Sequence, residues 1–181
     1  MQNIGEEIAG EYLKFVKGCE FIEYNLYTPD VQGEIDVVGI NIKDKSVYVC
    51  EVAIHLTTGL QYVKNGKPDN VNRFLSKFRK NMSYADKYFS DYTKHFMLWS
   101  PVVKNQGEKA KHNQLNDVKA VQESLKSQYG YELELVINKT YQNALNELRL
   151  AARKETKELK SPVMRLLQIE EKLERHIKKL S

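Results

Sequence analysis

Two acidic residues stand inside segments that otherwise read as apolar strands. Asp36 lies in Glu34-Ile35-Asp36-Val37-Val38, and Glu51 lies in Val47-Tyr48-Val49-Cys50-Glu51-Val52-Ala53. Burying one unpaired carboxylate is costly, and two side by side repel each other. A divalent cation removes both costs. Mg²⁺ is commonly held by one or two carboxylates, with waters and phosphate oxygens completing its shell. An ion held in this way activates water and stabilises charge on a scissile phosphate. The competing explanation is that both acids sit at exposed strand positions or pair with Lys or Arg.

The local sequence says how the two acids could meet. Residues 34–42 and 46–54 are both rich in β-branched side chains, with Lys43-Asp44-Lys45-Ser46 between them. That pattern predicts a β-hairpin. With Asp44-Lys45 as the turn, Ile42 faces Val47, Val38 faces Glu51 and Asp36 faces Ala53. Side chains alternate with period two, so Asp36, Glu51 and Ala53 share one face. Asp36 and Glu51 are then diagonal neighbours within reach of one ion.

The hairpin needs elements around it. Ile4, Ile8, Tyr12 and Phe15 recur at helical spacing, which predicts a helix over 3–17, stopped by Gly18. A strand follows at 20–27, then a loop with Pro29, Asp30 and Gly33. After the hairpin, a loop with Gly59, Gly66 and Pro68 leads into a helix over 70–90. Its apolar stripe is Val71, Phe74, Leu75, Phe78, Met82, Ala85 and Phe89. A strand at 95–103, interrupted near Pro101, precedes a polar, basic loop over 104–113, which could track a phosphate backbone or serve only as a connection. A helix at 114–128, a strand at 131–138 and a helix at 140–160 come next. Ser161-Pro162 then starts a last helix, with Ser as N-cap and Pro at the first helical position. The order α-β-β-β-α-β-α-β-α-α lacks the regular βαβ repeat of a doubly wound sheet, so the fold class is α/β with a mixed sheet. The expected division is an α/β core over 1–138 and a helical extension over 139–181. In the last helix, Val163, Leu166, Ile169, Leu173, Ile177 and Leu180 form a stripe. Packing onto the core is its default role, and a helix–helix dimer contact is the alternative.

Composition narrows the classes. The chain has 181 residues, 41% of them hydrophobic, which suits one compact domain with an appended helix. Glu6, Glu7 and Glu11 occupy the place of a basic signal-peptide region, and no apolar run reaches the ~18 residues of a membrane span, so a cytoplasmic, non-membrane protein is expected. Cys19 and Cys50 cannot form a disulfide framework and are expected as buried thiols, and the four histidines lack zinc-ligand spacing. Most of the eleven tyrosines, among them Tyr24, Tyr48 and Tyr131, are expected to pack rather than stack on bases. The net charge of +4 is unevenly spread. Residues 1–60 hold 4 Lys and Arg against 10 Asp and Glu, a net of −6; residues 61–181 hold 24 against 14, a net of +10. A basic remainder attracts a polyanion, or is simply the solvated face of Lys-rich helices.

These residues carry a resemblance. Gly33-Glu34-Ile35-Asp36, a hairpin, and then Glu51-Val52-Ala53 resemble the motifs of the PD-(D/E)XK nuclease superfamily, most nearly its small Holliday-junction-resolvase-like families. Gly5-Glu6, Ala9, Tyr12-Leu13, Gly18 and Asn25 follow the opening of those families in order. The resemblance covers about residues 4–103 and implies a restriction-endonuclease-like αβββαβ core. It implies a DNA endonuclease using Mg²⁺ or Mn²⁺, with DNA as partner and a homodimer as a natural way to make two cuts. Asp36 and Glu51 would hold the metal, together with the Val52 carbonyl. Glu6, or Glu7 if the helix is rotated, would contact the metal or its water, and Glu34 would support the site. Arg73, Lys77, Arg79 and Lys80 on the following helix would grip the backbone.

One position departs from the pattern. Ala53 stands where the superfamily has a lysine that orients water or neutralises transition-state charge. Three explanations stand. A cation enters from the next helix, with Lys77, Arg79 or Lys80 as candidates; His55 substitutes from the same strand face; or the scaffold binds nucleic acid or serves in assembly without cutting.

Overall fold

A computed structural model describes residues 3–28, 33–107, 110 and 112–180 of the chain. Helix α1 (Ile4–Phe15) opens on a capping box. The Asn3 side chain accepts from the Gly5 and Glu6 amides, and Glu6 accepts in return from the Asn3 amide. Strands β1 (Phe21–Tyr27), β2 (Glu34–Asn41) and β3 (Ser46–Val52) follow as an antiparallel meander. A small hairpin, β4 (Val63–Lys64) and β5 (Lys67–Pro68), leads into α2 (Asn70–Tyr88). The chain continues through β6 (Thr93–Ser100), α3 (Gln114–Tyr129), β7 (Leu133–Ile137), α4 (Asn138–Lys154) and α5 (Pro162–Leu180).

The main sheet has the order β1-β2-β3-β6-β7. Its first three strands are antiparallel, while β3–β6 and β6–β7 are parallel. Helices cover both faces. On one, Phe74, Phe78, Met82 and Ala85 of α2 and Val118, Val121 and Leu125 of α3 pack on Val38, Val47, Val49, Phe96 and Leu98. On the other, α1, α4 and α5 pack on Val37, Cys50, Met97, Trp99 and Val136. The fold is therefore α/β with a mixed five-stranded sheet and C-terminal helices, as the order of elements predicts. Cys19 and Cys50 are buried free thiols. No helix among the described residues is long and apolar enough to cross a membrane.

Several details differ from expectation. The β2–β3 register pairs Val37 with Cys50 and Ile40 with Val47, a shift of two residues from the predicted pairing. The turn is longer than two residues. Asn41 Oδ1 accepts from the Asp44 amide at 2.8 Å, and Lys45 takes a left-handed φ of 49°. A shift of two preserves the faces. Continued by one residue, the observed register sets Asp36 directly opposite Glu51 rather than diagonal to it. Asn25, at φ 51°, interrupts the β1 ladder between the pairs Tyr24–Val37 and Leu26–Ile35. Beyond that break, Leu26 and Ile35 turn to the α2 side of the sheet. Strand β6 ends before Pro101, and α4 begins directly after β7 and stops at Lys154 rather than near 160. Tyr141, Ala144, Leu148 and Ala152 of α4 pack in the same core as the central strands.

Helix α5 departs most. Its N-terminus is held by Glu7, whose Oε1 accepts from Ser161 Oγ at 2.7 Å and from the Val163 amide at 3.1 Å. The face turned to the core is Val163, Met164, Leu167, Gln168 and Glu171. Leu166, Ile169, Leu173, Ile177 and Leu180, expected to pack on the core, are exposed. The neighbouring helix sets the rotation: Arg153 of α4 pairs with Glu171, and Arg175 donates to the Arg153 carbonyl.

Close approach of α1 to the sheet depends on Gly39 in β2. A Cβ there would lie 2.7 Å from Leu13 Cδ1 and 3.1 Å from Cys19 Sγ. Gly39→Ala is therefore expected to cost about 1–3 kcal/mol through overpacking, read as a lower midpoint in chemical denaturation.

Candidate metal centre and cleft

Period-two alternation puts Asp36 and Glu51 on the face that α2 covers, and α2 brings the groups that answer them. Glu51 is 0% exposed. Its Oε1 accepts from Asn81 Nδ2 at 2.7 Å, and its Oε2 meets the Lys77 ammonium. Asp36 Oδ2 accepts from the Val52 amide at 2.7 Å, while Oδ1 lies 3.6 Å from Lys77 Nζ. Each carboxylate thus has one oxygen fixed by a neutral donor and the other turned toward a shared cation. Helical spacing explains how one helix supplies both partners, because Lys77 and Asn81 stand four residues apart on one face.

The electrostatics follow from burial. Desolvation, and after it the Asp36 charge, raise the Glu51 carboxyl to about 7 against the opposing effect of Lys77 and Asn81. For Lys77, burial lowers the ammonium, but Glu51 and Asp36 more than offset it, so its pKa is raised. The pair needs a cation. Lys77 Nζ is that cation in this structure, lying within ion-pair distance of both carboxylates. Among the described residues no group of three or more His, Cys, Asp or Glu could hold a metal. An ion here would rest on two carboxylates, with backbone, water or substrate oxygens completing its shell, which is the pattern of Mg²⁺ rather than of zinc.

Asp36 lines a cleft of about 780 Å³ together with Lys64, Arg73, Lys77, Lys80, Asn81 and Tyr84, while Glu51 lies buried behind Lys77 and Asn81. Arg73 stacks over the Tyr62 ring at 4.3 Å. Asn70 holds this wall, accepting from the Tyr62 amide and donating to the Leu60 carbonyl and to Asp117.

Of the residues singled out from sequence, Asp36, Glu51, Arg73, Lys77 and Lys80 come together here, with Val52 beside them and Glu34 on the cleft wall. Lys80 lines the cleft. Arg79 does not line the cleft; its guanidinium donates to Gln128 of α3. Glu6 is occupied by Asn3 and Asn25, and Glu7 by the start of α5; neither lines the cleft. His55 packs edge-on to Tyr62 at 5.4 Å and does not line the cleft either. Part of the basic loop after Lys104 lies outside the described residues. Its remainder is pinned, with Lys104 Nζ on the Thr57 carbonyl and Gln106 on the Gln114 amide. Asn81 was not anticipated. Its signal was available: a polar residue at a core position of the stripe Phe74, Phe78, Met82 and Ala85, buried and needing a partner.

The chain matches no family model, and comparison with curated proteins and with solved structures finds no significant match.

A raised carboxyl in the folded state binds its proton more tightly than in the unfolded chain, so Glu51 favours folding at low pH and disfavours it as pH rises through its folded value. Without divalent ions, wild type should lose stability relative to Glu51→Gln between about pH 4.5 and 7, by on the order of 3 kcal/mol. Urea denaturation of both proteins across that window checks this.

Proposed function

We propose that the chain is a DNA endonuclease dependent on Mg²⁺ or Mn²⁺, with Asp36 and Glu51 as metal ligands and Lys77 as the lysine of the site. The observation that carries this reading is the position of Lys77. It comes from α2 rather than from β3, yet its ammonium reaches both carboxylates. That supplies the charge missing at Ala53, and it favours the first of the three explanations over His55. The Val52 carbonyl, next to the amide that Asp36 holds, is a further candidate ligand. A bound ion would activate water and stabilise charge on the phosphate. Lys77 orients that water or neutralises the developing charge, and Asn81 keeps Glu51 aimed at the ion. Arg73 and Lys80 hold the backbone of the substrate on either side of Lys77 along one helix face.

One observation favours the non-cutting alternative. Lys77 already pairs with both acids, so the trio has a cation without metal, as a paired element of a nucleic-acid-binding or assembly module.

A cleavage assay on plasmid, branched and single-stranded DNA, with Mg²⁺, Mn²⁺ or EDTA, separates the two. The expected result is ion-dependent cutting that falls about 100-fold or more in Asp36→Asn, Glu51→Gln and Lys77→Met, with DNA binding retained in Lys77→Met. Arg73→Ala and Lys80→Ala should weaken binding with a shallower salt dependence. Cutting that survives the carboxylate substitutions would sink the assignment, and salt-sensitive binding without any cutting would establish the alternative.

A further inference from the structure

The six arginines of the chain are not used alike. Arg149, Arg153 and Arg165 pair with Glu170, Glu171 and Glu158, Arg79 donates to Gln128, and Arg175 donates to a backbone carbonyl. Arg73 makes no ion pair and no side-chain hydrogen bond among the described residues. Its guanidinium lies over the Tyr62 ring at 4.3 Å, on the wall of the cleft. A guanidinium stacked by its face keeps its N–H edge free for a bidentate acceptor such as phosphate.

Tyr62 is held from several sides. Its amide donates to Asn70 Oδ1 at 2.8 Å, and its carbonyl accepts from the Asp69 amide at 2.9 Å. Asn70 is buried and donates in turn to Asp117 of α3 at 2.8 Å. His55 and Phe74 meet the ring in T-shaped contacts, with centroids at 5.4 and 5.5 Å. The hydroxyl has no hydrogen bond among the described residues, so this network fixes the ring.

Orientation matters because the cleft is not simply basic. Glu34, Asp36 and Asp69 line it along with the cations. A phosphate there must meet the edge of a placed guanidinium rather than a diffuse positive field. Arg73 and Lys77 stand four residues apart on α2, which makes them neighbours on one face, with Cβ atoms roughly 6 Å apart.

We infer that Tyr62 is a positioning residue: it holds the Arg73 guanidinium edge-outward as a fixed clamp for the phosphate next to the one at Lys77. The inference rests on the nucleic-acid reading of the cleft and deepens it. The ring acts by pre-organisation, because an exposed arginine without it would lose more side-chain freedom on binding.

A double-mutant cycle on DNA binding tests this, read by fluorescence anisotropy of a labelled duplex with EDTA present so that nothing is cut. Arg73→Ala and Tyr62→Leu should each weaken binding by about 5–10-fold, and Tyr62→Leu should cost nothing more once Arg73 is alanine. Tyr62→Phe keeps the ring and should recover the affinity that Tyr62→Leu loses. Arg73→Lys, at an exposed position that leaves the fold intact, keeps the charge without the fork and should bind closer to Arg73→Ala than to wild type. Equal losses from Tyr62→Leu in both backgrounds overturn the inference, since a merely structural role predicts them. So does wild-type affinity in Arg73→Lys. In both of those cases salt-sensitive binding by wild type leaves the reading of the cleft standing, whereas a wild type that binds no DNA overturns the two together.

Discussion

The contact on which the arrangement turns is the Lys77 ammonium set between the Asp36 and Glu51 carboxylates. A fully buried glutamate beside a second acid is untenable without positive charge nearby. The β2–β3 register makes the two acids neighbours, and α2 must cross that face of the sheet for a cation to reach them. Phe74, Phe78, Met82 and Ala85 seat the helix there, and Asn81 ties it to the same carboxylate that Lys77 meets. Core packing and site electrostatics are thus two consequences of one helix placement.

This placement gives the cleft a graded character. Beneath its floor Glu51 and Asn81 are buried, and Asp36 and Lys77 beside them are half-buried. Toward solvent, Lys64, Arg73 and Lys80 add positive charge to its lining, beside the acids Glu34 and Asp69. In the proposed function, the basic side chains would meet the polyanion and the acids would hold the ion.

Much of this was legible because strand alternation is robust. The predicted register was off by two, yet Asp36 and Glu51 remained on one face, since only an odd slip would have separated them. The longer turn, built on Asn41 and the left-handed Lys45, was not legible, because it depends on a side chain capping a backbone amide within the loop. The cation replacing Ala53 could be narrowed to the next helix but not to one residue. Lys77, Arg79 and Lys80 differ only in rotation about α2, and tertiary packing fixes that rotation. The same limit applies to α5. Its apolar stripe was visible, but the face it turns to the body is set by the Glu7 cap and by Arg153, residues distant in sequence. Glu6 and Glu7 illustrate the converse: acids in a first helical turn are as well explained by capping as by metal binding.

The central claim is that Asp36, Glu51 and Lys77 form one cation site. Titration of Mn²⁺ into the protein by isothermal calorimetry tests it directly, repeated in buffers of different ionisation enthalpy near pH 7. The account predicts one ion per chain, proton release on binding because the Glu51 carboxyl is raised to about 7, and loss of binding in Asp36→Asn. Absence of binding in wild type, or equal binding in Asp36→Asn, would contradict it.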